Sequence, residues 1–120
     1  IMLLNHTYIA ADAEDAQRAA EEINRFYCYF GAWFKNERPV HQGLIQRLTE
    51  EEIAAHPFYS PEAMLRDNVI ATPQDAIARI KGYADLAYDE YSFWIDSGMS
   101  FERKQASLRR FIDDVMPAFA

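Results

Sequence analysis

Apolar and β-prone residues crowd Met2 to Ile9. Alternation sorts them into two sides, Leu4, His6, Tyr8 and Ala10 against Leu3, Asn5, Thr7 and Ile9. Both sides carry apolar residues, as in a strand covered on both faces. The period then changes. Ala16, Ala19, Ala20, Ile23, Phe26, Tyr27 and Phe30 recur at three-to-four spacing. That spacing predicts a helix with one buried stripe, capped by Asp12, acidic in its first turn through Glu14 and Asp15, and running to about Phe34. Aromatics crowd its end. At helical spacing they read as core, and a surplus left exposed would mark a subunit interface.

Residues 35–68 break the pattern. Lys35 to Gly43 is polar and interrupted by Pro39, so it reads as a connection. Thr49 with Glu52 forms a capping box for a short helix that His56-Pro57 ends, and Ser60-Pro61-Glu62 starts another. The stretch is an irregular insert of short helices. Alternation then resumes. Val69 to Ala71 reads as a strand, and Thr72 with Pro73 opens a helix that faces inward through Ala76, Ile77, Ile80 and Ala84 and ends near Ala87. Glu90 to Ile95 reads as the next strand, followed by a turn at 96–99. Ser100 caps a last helix with a buried stripe of Phe101, Leu108, Phe111, Ile112, Val115 and Met116, stopped by Pro117.

Strands alternating with helices imply a parallel sheet of βα units, an α/β fold. A complete (β/α)8 barrel needs about 250 residues, and this chain has 120. The expectation is therefore a set of βα units incomplete in this chain, with more sequence upstream of Ile1. The net charge of −7 and the pI near 4.8 argue against nucleic acid and anionic membranes as partners. No apolar run approaches the roughly 20 residues of a membrane helix. The N-terminus lacks the basic region and cleavage site of a signal peptide. Cys28 is the one cysteine. It lies among aromatics and reads as a buried, inert thiol, compatible with a reducing cytoplasm.

Two stretches resemble the C-terminal part of the bacterial luciferase-like flavin monooxygenases. Val69-Ile-Ala-Thr-Pro-Gln-Asp-Ala-Ile-Ala-Arg-Ile80 is similar to that family's opening of a late barrel helix. Tyr91-Ser-Phe-Trp-Ile-Asp-Ser-Gly-Met-Ser100, continuing through Ser107-Leu-Arg-Arg-Phe111 to Val115-Met-Pro-Ala-Phe119, resembles its last strand and closing helix. Thr7 to Ala10, followed by Asp12 to Ala16, looks like an earlier strand before an acidic, Ala-rich helix. The family usually has glycine where Ala71 and Ala87 stand. The resemblance implies that residues 1–120 are the C-terminal part of one TIM (β/α)8 barrel. It further implies an enzyme that uses reduced FMN and molecular oxygen to oxidise a small organic substrate, with the flavin supplied by a separate reductase and the protein a homo-oligomer. Relatives of the same fold use a deazaflavin instead, and a non-catalytic assembly module is the reading from another class.

In such a barrel the active site lies at the carboxyl ends of the strands, which selects Thr72, Trp94, Asp96 and Ser97 as cofactor-binding candidates. Thr72 either only caps its helix or heads free N–H groups that bind an anion. Trp94 either fills core or walls a flavin or substrate pocket, on the barrel-interior side with Ser92 and Asp96 while Tyr91, Phe93 and Ile95 face the helices. Asp96 either stabilises its turn or accepts a hydrogen bond from flavin or substrate. His6 reads as a satisfied core histidine, and His41 and His56 lack metal-ligand spacing. No HExxH, CxxC, Walker loop, GxGxxG or GxSxG occurs. The catalytic residues are expected outside these 120.

Overall fold

A computed structural model of the chain describes residues 1–96 and 98–120. Strand β1 (Met2–Ile9) leads into helix α1 (Ala13–Phe34). The insert holds a hairpin, β2 (Val40–His41) and β3 (Leu44–Ile45), then the short helices α2 (Glu50–Ala54) and α3 (Pro61–Asp67). Strand β4 (Val69–Ala71), helix α4 (Pro73–Asp85), strand β5 (Glu90–Trp94) and helix α5 (Phe101–Arg110) complete the order. Among the described residues, no helix is long and apolar enough to cross a membrane.

The expected punctuation largely sets these bounds. Asp12 accepts from the Asp15 amide, Ser60 from Ala63 and Ser100 from Arg103. The Thr49–Glu52 box is reciprocal. Each of these caps satisfies amides that the first helical turn leaves without partners. Ala87, just past α4, sits at φ 65°, the left-handed region in which an alanine costs about 1 kcal/mol. The hairpin β2–β3 was not expected. Gln42 and Gly43, both at positive φ, form its turn inside what reads as a polar connection.

β1 is the centre of a three-stranded parallel sheet in the order β4-β1-β5. β4 pairs with its carboxyl half, Thr7 with Val69 through Ile9 with Ala71, and β5 with its amino half, Met2 with Glu90 through His6 with Trp94. Helices cover both faces. On one, Tyr8, Ala10 and Ile70 pack under Ala16, Ala19, Ala20 and Ile23 of α1 and Ala63 and Met64 of α3. On the other, Ile9, Val69 and Ala71 pack under Ala76 and Ile80 of α4 and Val115 beyond α5. The fold is α/β with a parallel sheet. The wall of a barrel has successive strands as neighbours and its helices outside; here β1 separates β4 from β5, and helices lie on both sides.

Three expectations are corrected. β5 ends at Trp94, one residue early. α5 does not continue to Pro117. It widens into a π-helical turn (Phe111–Val115) and tightens into a 3-10 turn (Met116–Phe119) containing Pro117, which has no N–H to offer the carbonyl four residues back. Its stripe is also different: Val115 is buried, but Phe101, Ile112 and Met116 are exposed, and Ala84 of α4 is exposed as well.

The residue α5 does bury is Ser107. β1 runs three residues past its last pairing with β5, so the Ile9 N–H and C=O on that side have no strand partner. The Ile9 amide donates instead to Ser107 Oγ at 2.7 Å, and Arg110 donates to the Ile9 carbonyl at 3.1 Å. Ser107→Ala leaves a buried amide unsatisfied and is expected to cost about 1–3 kcal/mol, read from urea denaturation midpoints. An unchanged midpoint would show that the edge is satisfied some other way. The strand order makes a second prediction. Leu4 and Ser92 are register partners, so a Leu4→Cys, Ser92→Cys double variant is expected to close a disulfide on mild oxidation, because neighbouring strands hold the Cα atoms within bridging distance. Mass spectrometry of the oxidised chain checks it.

Candidate functional site

The carboxyl ends of β1, β4 and β5 open onto one edge of the sheet. After β1 the chain turns to one face, and after β4 it turns to the other. Reversals of this kind create the crevices in which open α/β sheets bind ligands. The groups that meet at the end of β1 are Tyr8, Asp15, Arg103 and Arg110. The Tyr8 hydroxyl donates to both carboxylate oxygens of Asp15, at 3.0 and 3.1 Å, and the Ala11 amide donates to Asp15 Oδ2 at 3.0 Å. Arg103 pairs with Asp15 at 2.8 Å and also with Glu22, while its guanidinium lies 5.1 Å from the centre of the Tyr8 ring. Arg110 is 3.9 Å from Asp15.

These groups set one another's ionisation. Burial alone would raise the Asp15 carboxyl, but the Ala11 amide, Arg103 and the Tyr8 hydroxyl together hold it below the usual carboxylate range. Burial, reinforced by the Asp15 charge, pushes the Tyr8 phenol up, so Tyr8 is a donor and not a phenolate. Each charge in the cluster has an opposite charge against it. The cluster locks β1, α1 and α5 together, and it leaves Asp15 no spare lone-pair geometry with which to take a proton from a substrate.

Of the residues expected at the site, Thr72, Trp94 and Asp96 share this edge but do not converge. Thr72 heads α4, yet its hydroxyl makes no cap bond and donates to Asp75 at 3.0 Å. Trp94 is stacked on His6, ring centres 4.5 Å apart, with Phe26 of α1 at 6.4 Å. The side of β5 that carries Trp94 is therefore flanked by a helix, though Trp94 itself stays partly exposed, and on the other side Phe93 packs 4.4 Å from Phe111. Asp96 accepts from Lys104 at 2.8 Å, which holds its carboxyl low. Ser97 lies outside the described residues. β1 stands between Thr72 on the β4 side and Trp94 and Asp96 on the β5 side. His6 is buried between Trp94 and Tyr27, and burial lowers its pKa, so the imidazole is neutral at neutral pH. Among the described residues, no group of three or more His, Cys, Asp or Glu is placed to hold a metal ion.

Asp15, Arg103, Ser107 and Arg110 were not singled out from sequence. The signal was available: Arg103, Ser107 and Arg110 stand at i, i+4 and i+7, one polar stripe of a helix otherwise read by its apolar residues. A cavity of about 390 Å³ lies at the opposite, amino edge, between α4 and the C-terminal turn. Leu3, Tyr83, Tyr91, Phe111 and Phe119 give it mostly apolar walls. Thr7 and Tyr91 share a 2.6 Å hydrogen bond, and burial pushes the Tyr91 phenol up to about 12. An ion pair there, Asp89 with the Ile1 ammonium, is exposed, whereas the carboxyl edge gathers a half-buried carboxylate, a phenol and two guanidinium groups, and we place the candidate chemistry there.

No protein-family model and no solved structure matches the chain. It is similar to the flavin-dependent trigonelline monooxygenase, oxygenase component, of Acinetobacter baylyi. The two are 67% identical over 120 residues, which is all of this chain and 33% of the relative. The chain thus spans about a third of the length of the curated relative it matches.

Because the Asp15 pKa is depressed by folding, its contribution to stability is present above the unfolded carboxylate value of about 3.9 and is lost as pH falls through the lower folded value. Asp15→Asn is expected to destabilise the chain by about 1–3 kcal/mol at pH 7. The gap from the parent should narrow below about pH 4, where the carboxylate of the unfolded parent begins to protonate, and close as pH falls through the lower folded value. Urea denaturation at pH 7 and pH 3 measures both, and a gap independent of pH would contradict the ion-pair account.

Proposed function

We propose that these residues are a segment of the oxygenase component of a flavin-dependent monooxygenase. The supporting observation is the 67% identity that extends over the whole chain to a protein of that name. The finer reading is a luciferase-like enzyme in which reduced FMN, delivered by a partner reductase, activates molecular oxygen to oxidise a small organic substrate. It rests on the resemblance of the β4–α4 and β5–α5 sequences. Thr72, Trp94, Asp96 and Ser97 are the candidates for this segment's contribution to the cofactor site, supported for Thr72, Trp94 and Asp96 by their position at or just past the carboxyl ends of strands.

The described residues do not by themselves fit a flavin. Thr72 is bonded to Asp75, Asp96 to Lys104, and Arg103 and Arg110 to Asp15, so each of these described groups at the carboxyl edge is already partnered and none is free to cradle a phosphate. The remaining two thirds of the protein would supply that cradle, and no catalytic step is derived through these residues. Closing a barrel in the longer polypeptide would require β4 to pass between β1 and β5. A Leu4–Ser92 disulfide that forms in this chain and also in the longer protein would retire the barrel.

A chimera tests the function, with this sequence replacing the matching third of the A. baylyi protein. It is expected to bind reduced FMN and to consume oxygen faster when trigonelline is added, followed with an oxygen electrode and chemically reduced FMN. A folded chimera that neither binds reduced FMN nor takes up oxygen would sink the reading.

A further inference from the structure

Helix α1 carries an aromatic ladder whose far end, Phe30, Trp33 and Phe34, the described residues leave exposed. Phe26 stacks on Phe30 at 5.6 Å, Phe30 contacts Phe34 at 4.6 Å and Trp33 at 6.0 Å, and Trp33 meets Phe34 at 5.1 Å. Trp33 is 59% and Phe34 68% exposed. At its other end the ladder meets Trp94, itself 39% exposed, on β5. Among the described residues, no strand pairs with the outer edge of β5. One surface therefore joins a row of large aromatics to an open strand edge, and both tryptophans of the chain lie on it. Soluble proteins seldom leave either feature bare: wide apolar patches are interaction surfaces, and an open edge is a template for another strand.

We propose that this surface, from the β5 edge to Trp33 and Phe34, is the seat of the remainder of a longer polypeptide of which these residues are a third. A strand from that remainder would pair with β5, and its apolar side chains would cover the aromatic ladder. One observation and one principle select this occupant over a second copy. The whole chain is matched by a third of a longer protein, in which the matching segment is accompanied by the other two thirds. Among the described residues the outer edge of β4 is unpaired as well as that of β5, so the sheet has room for further strands on both sides. A covalently continuous segment also meets the surface at high effective concentration. The inference uses the length relation to the relative and is independent of flavin chemistry.

The test compares this chain with the chimera described above. Trp33→Asp is expected to shift the melting temperature of the chain alone by no more than about 2 °C, since an exposed position carries little of its stability. In the chimera the same substitution is expected to lower it by about 5 °C or more. Leu86→Asp, an equally exposed apolar position past the end of α4, is the control and should behave alike in both. A photo-crosslinking amino acid at position 33 of the chimera should form links within one polypeptide, to peptides outside these 120 residues. Links between two polypeptides, no links, or a Trp33→Asp effect equal in chain and chimera would each overturn the proposal. A chimera that passes these tests but takes up no oxygen would overturn only the proposed function, and an active chimera that fails them only this inference.

Discussion

β1 is longer than the strands beside it, and the free amide and carbonyl of Ile9 have to be satisfied. Ser107 and Arg110 do so from a helix, in place of a third strand residue. An unsatisfied buried amide costs about 1–3 kcal/mol, comparable to the packing of one large side chain, so the position of α5 is fixed by polar groups as much as by apolar ones. Arg103 is one turn earlier on the same stripe and is thereby brought to Asp15 and Glu22. The strand edge, the helix angle and the charge cluster are one constraint seen at three places.

The same constraint explains the shape of the apolar layers. α1 spans 22 residues, about 33 Å at the helical rise, whereas the eight residues of β1 span about 26 Å. β4 adds only three residues, beside the carboxyl half. The small side chains of α1, Ala16, Ala19 and Ala20, sit over that half and let the helix approach closely. Beyond Ile23 the sheet recedes. The large aromatics there meet His6, Trp94 and the insert rather than a continuous sheet, and the last turn of α1 overhangs. The insert holds that overhang by polar bonds: Arg25 grips Glu50 through two bonds of 2.8 and 2.7 Å, and the Leu48 amide donates to the Tyr29 hydroxyl at 3.1 Å.

Elements whose ends are set by local chemistry were legible in the sequence. Asp12, Thr49, Ser60 and Ser100 each announce a helix start that the structure has, because a cap is a contact between residues two or three apart. The hairpin at Gln42-Gly43 was hidden by its polar composition and two-residue strands, too short for alternation to register. The strand order was not legible, because alternation gives the identity of strands and the faces they present but not which edge of β1 each will take. The stripe of α5 was misread for a related reason. Hydrophobicity favoured Phe101, Ile112 and Met116, but the helix was positioned by an unpaired strand edge that sequence does not display. The candidate site shares that history. The position of Thr72, Trp94 and Asp96 at the carboxyl edge followed from element order, whereas their partners, Asp75, His6 and Lys104, depend on packing.

Those partners bear on what the segment can contribute to a reaction. A group that binds a charged ligand or moves a proton needs unspent hydrogen-bonding capacity, and such capacity in a partly buried site is costly to maintain. At this edge it has been used up: Asp15 accepts from three groups, Arg103 serves two carboxylates, and Arg110 is divided between a carbonyl and Asp15. A saturated cluster gives rigidity instead of reactivity. It fixes the carboxyl edge of β1 and the start of α1 as a firm wall, against which groups from elsewhere in a longer chain would be positioned. If the proposed function holds, the protein's task is to orient and to exclude water, and a rigid wall with little chemistry of its own is suited to that task.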